Sequence, residues 1–169
     1  MLRTSRTVVV LLMALACAPA MAAQRGGGGF DTNNLFFGAG LSSNSVSGSD
    51  NGFGWQIFGG YEFGEIARNV NFDVEVGYMD TGDMDVDLPF GFGTVSARAK
   101  GVWANAVGRF TLAPQWELVG RAGYDFGDDD GFMIGIGGGY NVNKQTTLRL
   151  EFVQRDNVDS IEFNFVYRP

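Results

Sequence analysis

The residues of this chain best placed to do chemistry are charges set in alternation with apolar side chains. Glu62 stands between Tyr61 and Phe63, and Asp73 and Glu75 are interleaved with Phe72, Val74 and Val76. Arg109 precedes Phe110, Arg121 precedes Ala122, Arg149 and Glu151 are interleaved with Leu148, Leu150 and Phe152, and Glu162 lies between Ile161 and Phe163. In extended backbone, side chains two apart share a face, so these charges lie opposite the apolar set. If that face lines a narrow interior, the charges must pair or retain water. Two readings follow: a structural salt-bridge network that fills the interior, or a gated, narrow conduction path. Which arginine meets which acid depends on strand register, which the pattern does not reveal.

Other chemistry has little support. The chain has no histidine, and its single cysteine, Cys17, lies in an N-terminal apolar run. Carboxylate-only catalysis needs a spaced acid pair, and nothing marks one. "DTGDMDVD" superficially suggests calcium, but an EF-hand begun at Asp83 needs Gly at 88 and Glu at 94. Those positions hold Leu88 and Thr94. "DDD" (Asp128 to Asp130) reads as a solvated turn, with a weak divalent-cation site as the alternative. "GIGGGY" is followed by no Lys-Ser/Thr and no helix, so it is not a phosphate loop. No cofactor or metal is expected. A net charge of −7 argues against nucleic acid as a partner.

The elements that carry these charges are strands. With 26 glycines in 169 residues, the composition weighs against helices through most of the chain. Eight alternating segments are expected. They are Asn34 to Val46, Phe53 to Gly64, Val70 to Asp80 with a run-on through "DMDVDL", and a fourth through "GTVSARAKGVWANAVGRFTL". "WELVGRAGYDFG", "FMIGIGGGYNV", "TTLRLEFVQR" and "SIEFNFVYRP" complete the set. "EIARN" is expected to link the second segment to the third. "PFGF" (Pro89 to Phe92) is expected to be the tip between the third and fourth. If residues 88 and 93 pair across that tip, Asp83 faces Arg98 and Asp85 faces Ser96, a favourable cross-strand arrangement. In the fourth segment Ala104, Ala106, Gly108, Phe110 and Leu112 form the apolar set, in conflict with the parity of Val95 and Trp103. A bulge near Trp103 or an odd-length tip would reconcile them.

The N-terminus suggests the compartment. Arg3 and Arg6 precede "VVVLLMALACA", an apolar run too short to span a bilayer, and "AMA" offers a cleavage site. Residues 1–22 therefore read as a secretory signal peptide, with a cut after Ala23 as the alternative. Lipidation at Cys17 is disfavoured because Leu15 stands where a small residue is needed. Residues 23–34 form a glycine-rich lead-in, and residues 35–169 the strand domain. Loss of Arg3 and Arg6 makes the rest more acidic still.

Alternation alone does not say which face is inside. A soluble barrel would put its aromatic face inward. Eight strands, however, enclose a space only wide enough for side chains to fill. Trp, Tyr and Phe from most strands would overfill it, whereas Gly, Asn, Arg and Glu would fit. The aromatic face is thus expected outward, in lipid, and lipid demands a closed sheet with no unpaired edge. Short connections after the second, fourth and sixth segments, and longer ones richer in Asp, Ser and Gly after the third and, less markedly, the first, suit an outer-membrane barrel with "PFGF" extracellular and Ala113 to Gln115 periplasmic.

"NAVGRFTLAPQWELVGRAGYDF", the glycine-aromatic sixth segment and the closing "FNFVYR" resemble the small OmpA/OmpX-type outer-membrane barrels, over roughly Leu35 to Arg168. The resemblance implies an all-β, eight-stranded antiparallel up-and-down transmembrane barrel, without the peptidoglycan-binding domain that follows it in OmpA. It implies a monomer in the outer membrane, in contact with lipid and lipopolysaccharide, and delivered by the assembly machinery that reads the C-terminal strand. Phe163, Phe165 and Tyr167 match that signal, while Pro169 stands where a terminal Phe is expected. Barrels of this class that act on lipid A, and barrel proteases, use a histidine base, which is missing here. The role implied is non-enzymatic: envelope integrity or surface interaction through the loops, with a narrow pore for ions or small solutes as the alternative.

Overall fold

The structure is a computed structural model that describes residues 31–46, 52–87 and 94–169. The signal segment 1–22, most of the glycine-rich lead-in and the tip Pro89 to Phe92 lie outside the described residues. A 3-10 turn, Thr32–Asn34, leads into β1 (Leu35–Ser45), followed by β2 (Gly52–Ala67), β3 (Val70–Asp80), β4 (Met84–Asp87) and β5 (Thr94–Ala97). Then come β6 (Lys100–Ala113), β7 (Trp116–Asp125), β8 (Gly131–Asn141), β9 (Thr146–Gln154) and β10 (Asp159–Tyr167). Eight of these close into one antiparallel barrel in the order β1-β10-β9-β8-β7-β6-β3-β2, while β4 and β5 form a separate two-stranded sheet. Each barrel strand pairs with its neighbours in the chain, and β1 with β10 closes the ring from Phe37↔Tyr167 to Ser45↔Asp159. Closure leaves the barrel no open edge, as a lipid-embedded sheet requires.

The parity of each strand sets its faces. Ile134 and Ile136 on β8, Phe152 on β9 and Phe163 on β10 all point outward and are exposed. Aromatic pairs gather at both ends of the barrel. Trp116 and Tyr140 are 4.9 Å apart at the short-turn end, with Tyr61, Phe63 and Phe72 beside them in the same tier. At the other end stand Trp55 with Tyr78, and Tyr124 with Phe126 and Phe132. Two aromatic tiers flanking an apolar belt are the outer surface of a transmembrane barrel.

Three local expectations are corrected. First, "EIARN" is not a five-residue link: β2 runs on to Ala67, and only Arg68 and Asn69 turn the chain. The pairing of β2 with β3 slips at Glu62/Gly64 and at Glu65/Ala67, which hides the alternation there. Asn69 takes φ 63°, a left-handed turn conformation that Asn tolerates. Second, the third segment does not run on as one strand. It breaks at Thr81–Asp83 and resumes as β4 outside the barrel sheet.

Third, neither a bulge at Trp103 nor an odd tip reconciles the fourth segment. The β3–β6 pairing is unbroken from Val70↔Phe110 to Asp80↔Lys100, and Trp103 points inward, fully buried. The β4–β5 register pairs Asp85 with Ser96 and Asp87 with Thr94, as an even tip requires. The odd residue sits between the two sheets, where three residues (81 to 83) face two (98 and 99). Gly82 absorbs it at φ 71°, and Thr81 clamps Ala99 through its backbone N–H and its hydroxyl.

The interior is also less uniformly polar than expected. Phe36, Phe58, Met79, Trp103, Met133, Val153 and Val166 form a buried apolar cluster inside the barrel. Glycine makes the room. A Cβ on Gly38 would lie 2.2 Å from the Phe58 ring, and one on Gly77 would lie 2.5 Å from the Trp103 ring. Each inward ring therefore fills the space left by a glycine on a paired strand, a volume exchange that keeps the narrow lumen packed without strain.

Candidate functional site: the buried charge network

The eight charges sharing the inward parity all point into the lumen, where they meet in two clusters. The first lies toward the short-turn end. Glu62 on β2 and Asp73 on β3 are direct cross-strand partners, so two carboxylates oppose each other. Like charges directly opposite are destabilising unless neutralised. Arg109, from β6, supplies the neutralising charge. Its Nε donates to Asp73 Oδ2 at 2.6 Å and its Nη2 to Asp73 Oδ1 at 3.1 Å, a two-pronged pair. The same Nη2 lies 2.9 Å from Glu62 Oε2, and Nη1 donates to Glu117 at 3.3 Å.

The second cluster fills the centre. Glu162 on β10 and Glu151 on β9 are again direct cross-strand partners. Arg121, reaching over β8 from β7, grips Glu151 with Nε at 2.9 Å and Nη2 at 2.7 Å. Its Nη1 lies 3.6 Å from Glu162. Arg149 donates to Glu75 at 2.8 Å, and its Nε lies 3.4 Å from Glu151. Amides complete the shell: Gln56 donates to Glu162 and to Asn164 at 2.7 Å each, and Asn164 donates to Glu151 at 3.1 Å. The guanidiniums also stack on the inward rings, Arg149 over Phe58 at 5.2 Å and Arg121 over Trp103 at 5.7 Å. The arginines thus serve both acids and aromatics, as their flat, weakly hydrated forks allow.

Four further charges join the network that sequence reasoning had not singled out. Arg155 donates to Glu162 at 2.8 Å and lies 3.5 Å from Asp125. Arg168 donates to Glu62 at 3.2 Å, and Glu117 meets Arg109 as above. The signal that could have found them is parity. Arg155 continues Arg149 and Glu151, Arg168 continues Glu162 and Asn164, and Glu117 and Asp125 flank Arg121 at even spacing. Arg155 and Arg168 each lie one residue past the end of their strand.

Outside the barrel sheet, Arg98 forms a two-pronged pair with Asp80, with Nε 2.8 Å from Oδ1, and Asp83 lies 3.8 Å away. Arg98 therefore engages chiefly Asp80, where the sequence had set it opposite Asp83. Among the described residues, no group of three or more acidic, histidine or cysteine side chains is placed to hold a metal ion. What the arrangement offers chemically is mutual charge-assisted contact between side chains inside the lumen.

A designed transmembrane β-barrel superposes with TM-score 0.55 at 15% identity, over 82% of this chain and 97% of that one. A second design, TMB2.3, gives TM-score 0.51 at 13% identity, over 82% and 98%. Ail, the attachment invasion locus protein of Yersinia pestis, solved with the heparin analogue sucrose octasulfate, gives 0.48 at 12% identity, over 78% and 93%. The two designs share the fold. No curated protein sequence matches the chain. The family profile of the outer membrane protein β-barrel domain matches residues 8–168. With its closed sheet, apolar exterior and aromatic tiers, the chain belongs to the outer membrane protein β-barrel domain family, and its place is the cell outer membrane.

Proposed function

We propose that this protein is a non-enzymatic, non-conducting outer-membrane barrel that serves envelope integrity or surface interaction through its loops. The observation that carries this reading is the state of the lumen. The side chains of Arg121, Arg149, Glu75 and Glu151 have no exposure at all and are locked to one another by ion pairs of 2.7 to 3.8 Å. A solute would have to separate these pairs and push aside the rings of Phe58 and Trp103. The short turns face the periplasm, and the acidic loops, with the β4–β5 hairpin, face outward, where lipopolysaccharide lies. The assembly machinery reads the C-terminal strand through Phe163, Phe165 and Tyr167.

Single-channel recording of the purified protein in planar bilayers tests this. The expected result is a bilayer that stays silent over long recordings. Steady, well-resolved openings in the unmutated protein would establish the narrow pore instead.

A further inference from the structure

We propose that the short-turn mouth of the barrel is a binding site for a small, polar carboxylic acid, and that Glu62 occupies the ligand's place in the unliganded protein. This goes beyond the plugged-lumen reading and does not rest on it.

The mouth opens onto a cavity of about 430 Å³. Arg109, Arg168 and Lys144 line it, with Glu62 as the acid among its lining residues and Gln115 and Asn141 as amide walls. Its lining is thus rich in donors and cationic in balance. Two guanidiniums converge there on one oxygen: Glu62 Oε2 lies 2.9 Å from Arg109 Nη2 and 3.2 Å from Arg168 Nε. Paired guanidinium forks match the flat, two-oxygen shape of a carboxylate. Glu62 uses only one of its oxygens for both, so it fills the cradle incompletely.

Arg168 is held ready for a further acceptor. Its ring-stacked guanidinium sits 5.0 Å over Phe36, and its Nη1 donates to Thr147 at 3.0 Å. Its Nη2 is buried yet makes no hydrogen bond, with Asp73 Oδ2 3.7 Å away. A buried donor with no acceptor is costly, and an arriving carboxylate would supply one.

Glu62 is the network acid best able to leave. Its side chain is 29% exposed, whereas that of Asp73 behind it has no exposure. It stands at a register slip in β2 beside Gly64, which takes φ 82° and whose surroundings are open. An incoming carboxylate would take its place between Arg109 and Arg168 while Glu62 turns into water. The cavity is far larger than one carboxylate, so the rest of the ligand must be polar enough to meet the amide walls and Lys144.

The test is a titration of the full barrel in detergent micelles, followed by backbone amide NMR shifts. The probes are glutarate, glycerol 3-phosphate and glycerol. Glutarate is expected to give saturable shifts at Asn143, Lys144 and Arg168, and glycerol none. Glu62→Gln, which removes the competing charge, should bind glutarate about tenfold more tightly, the effect of one charge-assisted hydrogen bond. Lys144→Gln, on an exposed turn that does not endanger folding, should bind it more weakly. No saturable shift in either the parent or Glu62→Gln would overturn the site. Equal affinity of parent and Glu62→Gln would overturn the displacement by Glu62. Glycerol 3-phosphate binding as tightly as glutarate would overturn the assignment to carboxylic acids.

Discussion

Replacing Arg149 by Met should lower the stability of the barrel by about 3–5 kcal/mol and leave bilayers silent. Methionine nearly matches the arginine in length, so little volume is lost and the effect is electrostatic. Arg149 is the near partner of Glu75, at 2.8 Å; the next cation, Arg121, lies 3.8 Å from that carboxylate. Without Arg149, Glu75 stays fully buried with most of its compensation gone, and Glu151 loses one of its two arginines. Desolvation of the orphaned acid remains, which is why breaking a buried pair costs more than the pair contributes over an apolar pair of the same shape. The stacking of the guanidinium on Phe58 disappears as well. Urea unfolding in liposomes, compared with the parent, reads the loss. A variant as stable as the parent would mean that the lumen is wet enough to solvate Glu75.

On the outer surface the same chemistry runs in reverse, and Ile136→Arg should destabilise by roughly 2–4 kcal/mol. Ile136 lies midway along β8, paired with Gly120 on one side and Phe152 on the other, and its side chain points away from the lumen. An arginine there enters the hydrocarbon at its deepest point with no acid to meet. Phe152→Arg should behave alike. Phe132→Arg is the control: that residue is the most exposed aromatic on β8, but it lies at the strand's loop end, where the cost should fall to about 0–1 kcal/mol. The same unfolding assay reads all three. Equal stability of the Ile136 variant and the parent would mean that the two faces had been inverted.

Much of the barrel is written in the alternation itself. The bounds of β3, Val70–Asp80, coincide with the expected segment, because Val70, Phe72, Val74, Val76 and Tyr78 alternate there with a face that carries Asn71, Asp73 and Glu75. The tip register was legible only as a condition: pairing 88 with 93 set Asp83 opposite Arg98 and Asp85 opposite Ser96, the latter as the β4–β5 register has it, while the parity of Val95 and Trp103 left an odd tip open. Where alternation is interrupted, so is legibility. The slips at Glu62/Gly64 and Glu65/Ala67 disguised the end of β2 as a loop. The extra residue at Thr81–Asp83 leaves no mark in the alternation; its parity conflict surfaces about twenty residues further on, at Trp103, whose ring points inward. What admits it is Gly77 on the neighbouring strand, and a neighbour across the sheet is visible only once the register is known.

The charges behave similarly. Their side of the sheet follows from parity, residue by residue. Their partners do not, because Arg121 reaches Glu151 over the intervening β8, and Arg149 on β9 meets Glu75 on β3, on the opposite wall of the barrel. Register brings like charges together, Glu62 beside Asp73 and Glu151 beside Glu162; Arg109, from the strand paired with β3, makes the first pairing tolerable, and Arg121 of β7, with Arg149 and Arg155 from β9 and its end, the second. The network is therefore a product of closure, and sequence-local reasoning can list its members without wiring them.

A double-mutant cycle on Arg121 and Glu151 tests that wiring most directly. The measurement is the urea unfolding free energy in liposomes of the parent, Arg121→Met, Glu151→Met and the double variant. Each single change strands a buried partner, while the double change removes both charges of a two-pronged pair. The predicted result is a double variant more stable than the sum of the two losses implies, by roughly 0.5–3 kcal/mol. Strictly additive losses would contradict the account, since they would mean that Arg121 and Glu151 do not hold each other inside the barrel.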